Sequence, residues 1–249
     1  MNDKFKNFFA KIGKFLSNLF FPDNIKCIFC NRDVADFENK PYCDDCEKDL
    51  PFNNGNRCQI CSEPIANEAT VCDSCQKSKR SFKKAFCPFV YETTVRKAIL
   101  AYKDSNKRYM AKSFAKFIAD EIVSSGVKID VVSFVPLSKK KLSKRGFDQA
   151  RLLAEEIAKR LNVECKTLFE KVKDVKTQKL SSFKERQENT VGMYKYLPGN
   201  LKRKDSVLIV DDIITTGATI DACSKLVEKR CENVYVAAIA RNKLKKQII

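Results

Sequence analysis

The chain has 249 residues, 44% hydrophobic and 32% charged, enough apolar material for one sizeable core plus a small module. Lys and Arg outnumber Asp and Glu by 48 to 31, and the net charge of +17 favours polyanions, nucleic acid or highly charged phosphates, with a solvated lysine face as the plain alternative. There is no histidine, which removes the commonest general base and metal-ligating nitrogen, and no apolar run approaches the roughly 20 residues of a membrane-spanning helix.

The charge is unevenly spread: residues 1–26 carry +3, residues 27–75 carry −6 and the remainder +20. In the first segment Phe5, Phe8, Phe9, Ile12, Phe15, Leu16, Leu19 and Phe20 recur at helical spacing between lysines. They predict a basic amphipathic helix over residues 1–22, stopped by Pro22. Its apolar face can lie on an anionic membrane surface or dock on the protein's own core or a partner. Lys4, Lys6, Lys11 and Lys14, with no small-residue cleavage site, separate it from a secretory signal, so the expected compartment is the cytoplasm, with peripheral membrane contact through residues 1–21.

Residues 23–78 hold four C-x2-C pairs: Cys27/Cys30, Cys43/Cys46, Cys58/Cys61 and Cys72/Cys75. Each pair makes a tight knuckle offering two thiolates to one ion, and two knuckles complete a tetrahedron. In a cytoplasmic chain such pairs point to metal rather than disulfides, so a double zinc ribbon with two closed, structural zinc sites is expected. Sequential pairing gives short loops of similar length; an interleaved pairing has the same spacing of knuckles. The acidic balance and the added negative charge of each tetrathiolate argue against phosphate gripping by this module. Cys87, Cys165, Cys223 and Cys231 fall outside the pairs and read as packing residues.

From residue 82 to 243 the pattern alternates. Strands are expected at 85–91, 129–136, 191–197, 207–211 and 233–240, with a further candidate at 165–169. Helices are expected at 95–102, 109–124, 147–161, 217–230 and in a polar stretch near 181–188. This predicts an α/β domain with a mostly parallel sheet flanked by helices.

Within it lies VLIVDDIITTGAT, residues 207–219. An apolar, largely β-branched strand runs into Asp211 and Asp212, and a Thr215-Thr216-Gly217-Ala218-Thr219 turn feeds a helix. Free N–H groups at a helix start suit a phosphate. Adjacent carboxylates would repel that phosphate unless a neutral group lay between, which a ribose 5-phosphate supplies. The Mg²⁺ strand of P-loop ATPases is excluded because no G-x-x-x-x-G-K-[ST] occurs.

The stretch resembles the phosphoribosyl pyrophosphate (PRPP) signature of type I phosphoribosyltransferases. The whole chain is similar to the ComF/GntX family, which joins a double zinc ribbon to such a domain. The cysteine pairs carry that resemblance, as do Val-Pro-Leu at 135–137, KKKLSKRGFDQARLLAEEIA from Lys139, and a segment from Thr177 and Gln178 to Arg186 and Asn189. It implies that Asp211 and Asp212 hold the ribose hydroxyls and that Thr215 to Thr219 wrap the 5′-phosphate. It also implies that the loop after Pro136, with Ser138, Lys139, Lys144 and Arg145, faces the pyrophosphate. Thr177, Gln178 and Arg186 fall in a lid, and Mg²⁺ is held mainly by the pyrophosphate. Family members are linked to DNA uptake in natural competence, which implies single-stranded DNA and the competence machinery as partners. Nothing in the sequence marks an acceptor for the ribose. Three readings follow: a PRPP-binding competence protein, a transferase acting on a nitrogen acceptor, and a single-stranded-DNA-binding or scaffold protein without chemistry.

Overall fold

The computed structural model describes residues 26–34, 40–66, 68–104, 107–172, 192–198 and 201–243. The amphipathic helix expected over residues 1–22 and the polar helix near 181–188 lie outside them. The chain divides into two compact units, Met1–Asp49 and Leu50–Ile249.

In the first unit, Cys27 N–H donates to Arg32 O (2.6 Å) and Asn31 N–H to Cys27 O (2.9 Å), closing a knuckle whose exit residue, Asn31, has φ 67°. Helix α1 (Asp44–Asp49) begins with Asp44, Asp45 and Glu47, which favour its positive end. Lys40 pairs with Asp44 (2.6 Å) and Glu47 (2.7 Å) across its exposed surface.

The second unit opens on the same device. Cys58 N–H donates to Glu63 O (2.8 Å), Ser62 N–H to Cys58 O (2.9 Å), and Ser62 takes φ 62° directly after the second cysteine, as Asn31 does. Helix α2 (Asp73–Lys77) carries Cys75 on its buried side. The α/β body follows: β1 (Lys84–Phe86), β2 (Phe89–Val90), α3 (Thr93–Asp104), α4 (Met110–Ser124), β3 (Val131–Phe134), α5 (Lys139–Arg145) and α6 (Gln149–Leu161). It ends with β4 (Glu164–Cys165), β5 (Phe169–Lys171), β6 (Tyr194–Tyr196), β7 (Ser206–Ile214), α7 (Ala218–Val227) and β8 (Asn233–Arg241).

The main sheet has six strands in the order β1-β8-β7-β3-β4, with β2 also on β8, and every pairing is parallel. The fold is therefore the expected mostly parallel α/β sheet. Its central strands are apolar on both faces because helices and the second cysteine cluster cover both. Val207 and Ile209 share one face of β7 with α7 residues Ile220, Cys223 and Val227 and with Cys58, Cys61, Cys72 and Cys75. Helices α4 and α6 pack on each other, α6 against β3 and β7 and α4 against β8. Phe52, Phe89 and Phe117 form an aromatic cluster beneath β2, with ring centroids 4.8 to 6.3 Å apart.

Four expectations need correction. The strand expected over 85–91 is two short strands, because Pro88 lacks the N–H that a continuous strand would need. The segment expected at 191–197 contains β6, which pairs antiparallel with β5 outside the main sheet. The candidate at 165–169 resolves into the end of β4 and the start of β5. The stretch after Pro136, expected as a loop, contains helix α5, capped by Ser138 Oγ at its start and by Gly146 at φ 75° at its end. Among the described residues no helix is long and apolar enough to cross a membrane.

Candidate functional site

Parallel strands place their C-terminal ends, and the loops that follow them, on one edge of the sheet, where α/β proteins hold ligands. Here β3 and β7 are neighbours, with Phe134 opposite Val210 and Val135 N–H donating to Val210 O (2.9 Å). The segment leading to α5 thus leaves the sheet beside Asp211.

Asp211 and Asp212 sit in the second half of β7. The Asp212 N–H donates to Asp211 Oδ1 (2.8 Å), and Lys103 Nζ from α3 lies 2.7 Å from Asp212 Oδ2, both side chains 17% exposed. Burial first, then the like charge of Asp212, pushes the Asp211 carboxyl from 3.8 up to about 8; the Asp212 N–H and Lys103 act in the opposite direction.

A third carboxylate stands nearby. Asp148 caps α6, accepting from Leu137 N–H (3.0 Å) and Arg151 N–H (3.1 Å), and so ties the segment after β3 to the next helix. Burial raises its pKa, and the charge of Asp212 adds to the rise. Tyr102 is fully buried between Phe114 and Phe147 and donates to Gln149 O (2.9 Å); burial, then Asp212, raises its hydroxyl well above the usual range.

The Thr215–Thr219 turn has an unusual support. Ile214 O, Thr215 O and Thr216 O all accept from buried guanidinium groups, the first two from Arg241 and the third from Arg80 (3.2 Å). In a trans peptide the C=O and the following N–H point oppositely. Three successive carbonyls turned to the arginines therefore turn the N–H groups of Thr215, Thr216 and Gly217 away from them, leaving successive donors of the kind that holds an anion. Gly217 takes φ 78°, which a side chain would strain. Ala218 N–H is already satisfied by Thr216 Oγ1 (3.3 Å), so that group belongs to the turn itself.

Ser138, Lys139, Lys144 and Arg145 form one element rather than an open loop. Ser138 is buried as the N-cap, Lys139 and Lys144 are exposed, and Arg145 donates to Gln149 Oε1 (3.0 Å). Thr177, Gln178 and Arg186 lie outside the described residues. Sequence reasoning missed Lys103, Asp148, Arg80 and Arg241. Of these, Arg241 left a trace: it closes the otherwise apolar strand NVYVAAIAR, where a buried charge must have partners.

The cysteines assemble sequentially. Cys27, Cys30, Cys43 and Cys46 form one cluster, and Cys58, Cys61, Cys72 and Cys75 the other, with all four sulfurs of each within 4.8 Å of one another. Cys30 to Cys43 and Cys61 to Cys72 are both 3.6 Å. Thiolates about 2.3 Å from a central zinc stand about 3.8 Å apart at tetrahedral vertices, so both clusters fit zinc and leave no open position.

Comparison with known proteins agrees with this architecture. Residues 16–76 match the double zinc ribbon domain family, and residues 148–247 match the phosphoribosyl transferase domain family. The chain is 26% identical over 229 residues to competence protein F of Haemophilus influenzae, covering 88% of this chain and 97% of that protein. It is 26% identical over 225 residues to competence protein ComFC of Streptococcus pneumoniae, covering 82% and 94%. Among solved structures, an adenine phosphoribosyltransferase shares 18% identity at a TM-score of 0.37, over 59% of this chain and 76% of that one.

Proposed function

With the chain a member of the ComF-type family of double-zinc-ribbon, phosphoribosyltransferase-like proteins, we propose that it binds PRPP and acts in DNA uptake during natural competence. The observation that carries the PRPP reading is the pairing of an acid doublet with a donor-lined turn on one sheet edge. Asp211 and Asp212 would accept from the ribose 2′- and 3′-hydroxyls. The turned N–H groups of Thr215 to Gly217, with the start of α7, would hold the 5′-phosphate. Ser138, Lys139, Lys144 and Arg145 would face the pyrophosphate, and Thr177, Gln178 and Arg186 would belong to a covering lid.

Among the described residues, the only clusters of potential ligands with metal-binding spacing are the two sets of cysteines, and Asp212 is already paired with Lys103. That supports Mg²⁺ arriving on the pyrophosphate rather than in a cage of protein oxygens. The chemistry such a site would support is displacement of pyrophosphate at the anomeric carbon by an incoming nucleophile, with the negative charge of the acid pair stabilising the positive charge that develops on the sugar. Turnover on a nitrogen acceptor is a separate step of this reading, and a sensor or scaffold that only binds PRPP uses the same residues.

A second reading rests on α5, whose sequence KKKLSKR contains no acid and whose Lys139, Lys140, Lys141 and Lys144 are exposed. Such a helix suits the backbone of single-stranded DNA in the cytoplasm, and residues 1–21 would supply any peripheral membrane contact.

Calorimetric titration of PRPP, with and without Mg²⁺, tests the proposal. Saturable 1:1 binding that Mg²⁺ strengthens supports it, and no heat at millimolar PRPP in either condition refutes it.

A further inference from the structure

The second cysteine cluster and the phosphate turn share one side chain. Arg241 is fully buried at the end of β8, where its backbone pairs with Ile214. Its Nε donates to Cys61 O (3.0 Å), and its Nη2 donates to Cys61 Sγ (3.7 Å) and Glu63 Oε2 (3.3 Å). Its Nη1 donates to Ile214 O (3.1 Å), Thr215 O and Asn242 O (3.1 Å). One edge of a rigid guanidinium plane thus faces a cluster ligand, and the other faces the carbonyls that turn the loop. Arg80 repeats the arrangement one residue later, donating to Thr216 O (3.2 Å) and to Ser74 Oγ (2.9 Å), which lies between Cys72 and Cys75. Ser81 N–H fixes the following helix by donating to Asp221 Oδ1 (2.8 Å).

We propose that Arg241, with Arg80 beside it, is the positioning residue through which the second four-cysteine cluster sets the Thr215–Thr219 turn, so that metal at that cluster and an anion in the turn bind cooperatively. The anion half rests on the reading of this turn as the 5′-phosphate cradle.

The physical reason is charge and rigidity. A buried guanidinium needs anionic partners, and here they are a thiolate and Glu63. A tetrathiolate zinc site keeps Cys61 ionised and fixed, which holds the guanidinium where its far edge meets Ile214 O and Thr215 O. Loss of the metal frees Cys61, and Glu63 alone then holds the inner edge of the plane, which loosens the outer one. Lysine cannot replace it, because one ammonium cannot bond on both sides. Coupling of two binding events is reciprocal, so an anion that is helped by the metal must hold the metal by the same factor.

The test uses the full chain loaded with zinc, a chromophoric chelator, and PRPP as probe. One of the two zinc ions should be retained about tenfold more strongly at saturating PRPP, a typical coupling factor, and the other should be unaffected. In Arg241→Lys both ions should still bind while the protection disappears. Hydrogen exchange supplies a ligand-free arm: zinc depletion should speed exchange at residues 215–219 in the wild type but not at 131–134, and Arg241→Lys should show the fast exchange with zinc still bound. Glu63→Gln, a milder change to the same network, should reduce the protection if Arg241→Lys does not fold. Protection absent although calorimetry shows PRPP bound, or protection that survives Arg241→Lys, overturns the proposal. If PRPP does not bind at all, the phosphate reading fails on its own, and unchanged exchange at 215–219 on zinc depletion overturns the coupling independently.

Discussion

Replacing Lys103 with Met removes the cation 2.7 Å from Asp212 while keeping most of the side chain's volume. At an effective dielectric near 20, unit charges about 4 Å apart attract by about 4 kcal/mol. Desolvating both ends takes part of that back, and exposed pairs contribute under about 1 kcal/mol. With both side chains 17% exposed, the pair lies between these limits, so a coupling of about 1–3 kcal/mol is expected. A double-mutant cycle with Asp212→Asn isolates it from the packing of the lysine stem. At about 2–4 °C per kcal/mol for a unit of this size, the melting temperature of Lys103→Met should fall by about 2–12 °C. Because Lys103 also lowers the Asp211 pKa, its removal should raise that value further, which carbon-13 NMR titration of the carboxyl reads directly. Additivity within about 0.5 kcal/mol, together with an unmoved Asp211 titration, would refute the reasoning.

Other consequences are independent of that pair. The folded Asp211 carboxyl titrates near 8 against an ordinary 3.8, so the folded state binds this proton more tightly. Its stabilising contribution is full below about pH 4 and is lost as pH rises through 8, with a slope up to about 1.4 kcal/mol per pH unit. Urea midpoints from pH 5 to 9 should show that decline in the wild type and a flatter curve in Asp211→Asn. Gly217→Ala should cost about 1–2 kcal/mol through φ 78° alone, since the added carbon meets Arg80 at an ordinary 3.6 Å; a melt within about 1 °C of wild type would contradict this. Neutralising Lys139, Lys140, Lys141, Lys144 and Arg145 together should weaken single-strand binding and flatten its salt dependence, by about 0.7 in the log–log slope for each phosphate no longer neutralised. Binding with an unchanged slope would place DNA elsewhere.

Much of the fold was legible because its signals are local. The apolar run before Asp211, the four C-x2-C knuckles and the helical periodicity of 109–124 and 147–161 depend on neighbours in sequence, and each appears where its pattern places it. What was missed depends on distant approach. Pro88 splits a strand whose register on β8 is unbroken, Phe86 lying opposite Ala237 and Phe89 opposite Ala240, because it has no N–H to give the ladder. β5 and β6 found each other rather than the sheet, which no period-2 pattern distinguishes. Helix α5 is announced by its caps Ser138 and Gly146, but KKKLSKR has a single apolar residue and so no helical periodicity to mark it. Lys103 and Asp148 reach the acid pair, and Arg80 reaches the turn, only after helices and sheet have packed, so their sequence neighbourhoods carry no mark of the role.

The central claim is that the β7 acid pair and the turn after it cradle a ribose 5-phosphate, and a crystal structure of the chain with PRPP tests it most directly. The account predicts the 5′-phosphate about 2.7–3.2 Å from the N–H groups of Thr215 to Gly217. It also predicts the ribose hydroxyls on Asp211 and Asp212. Density for the 5′-phosphate on α5, or a ribose away from both carboxylates, would contradict it.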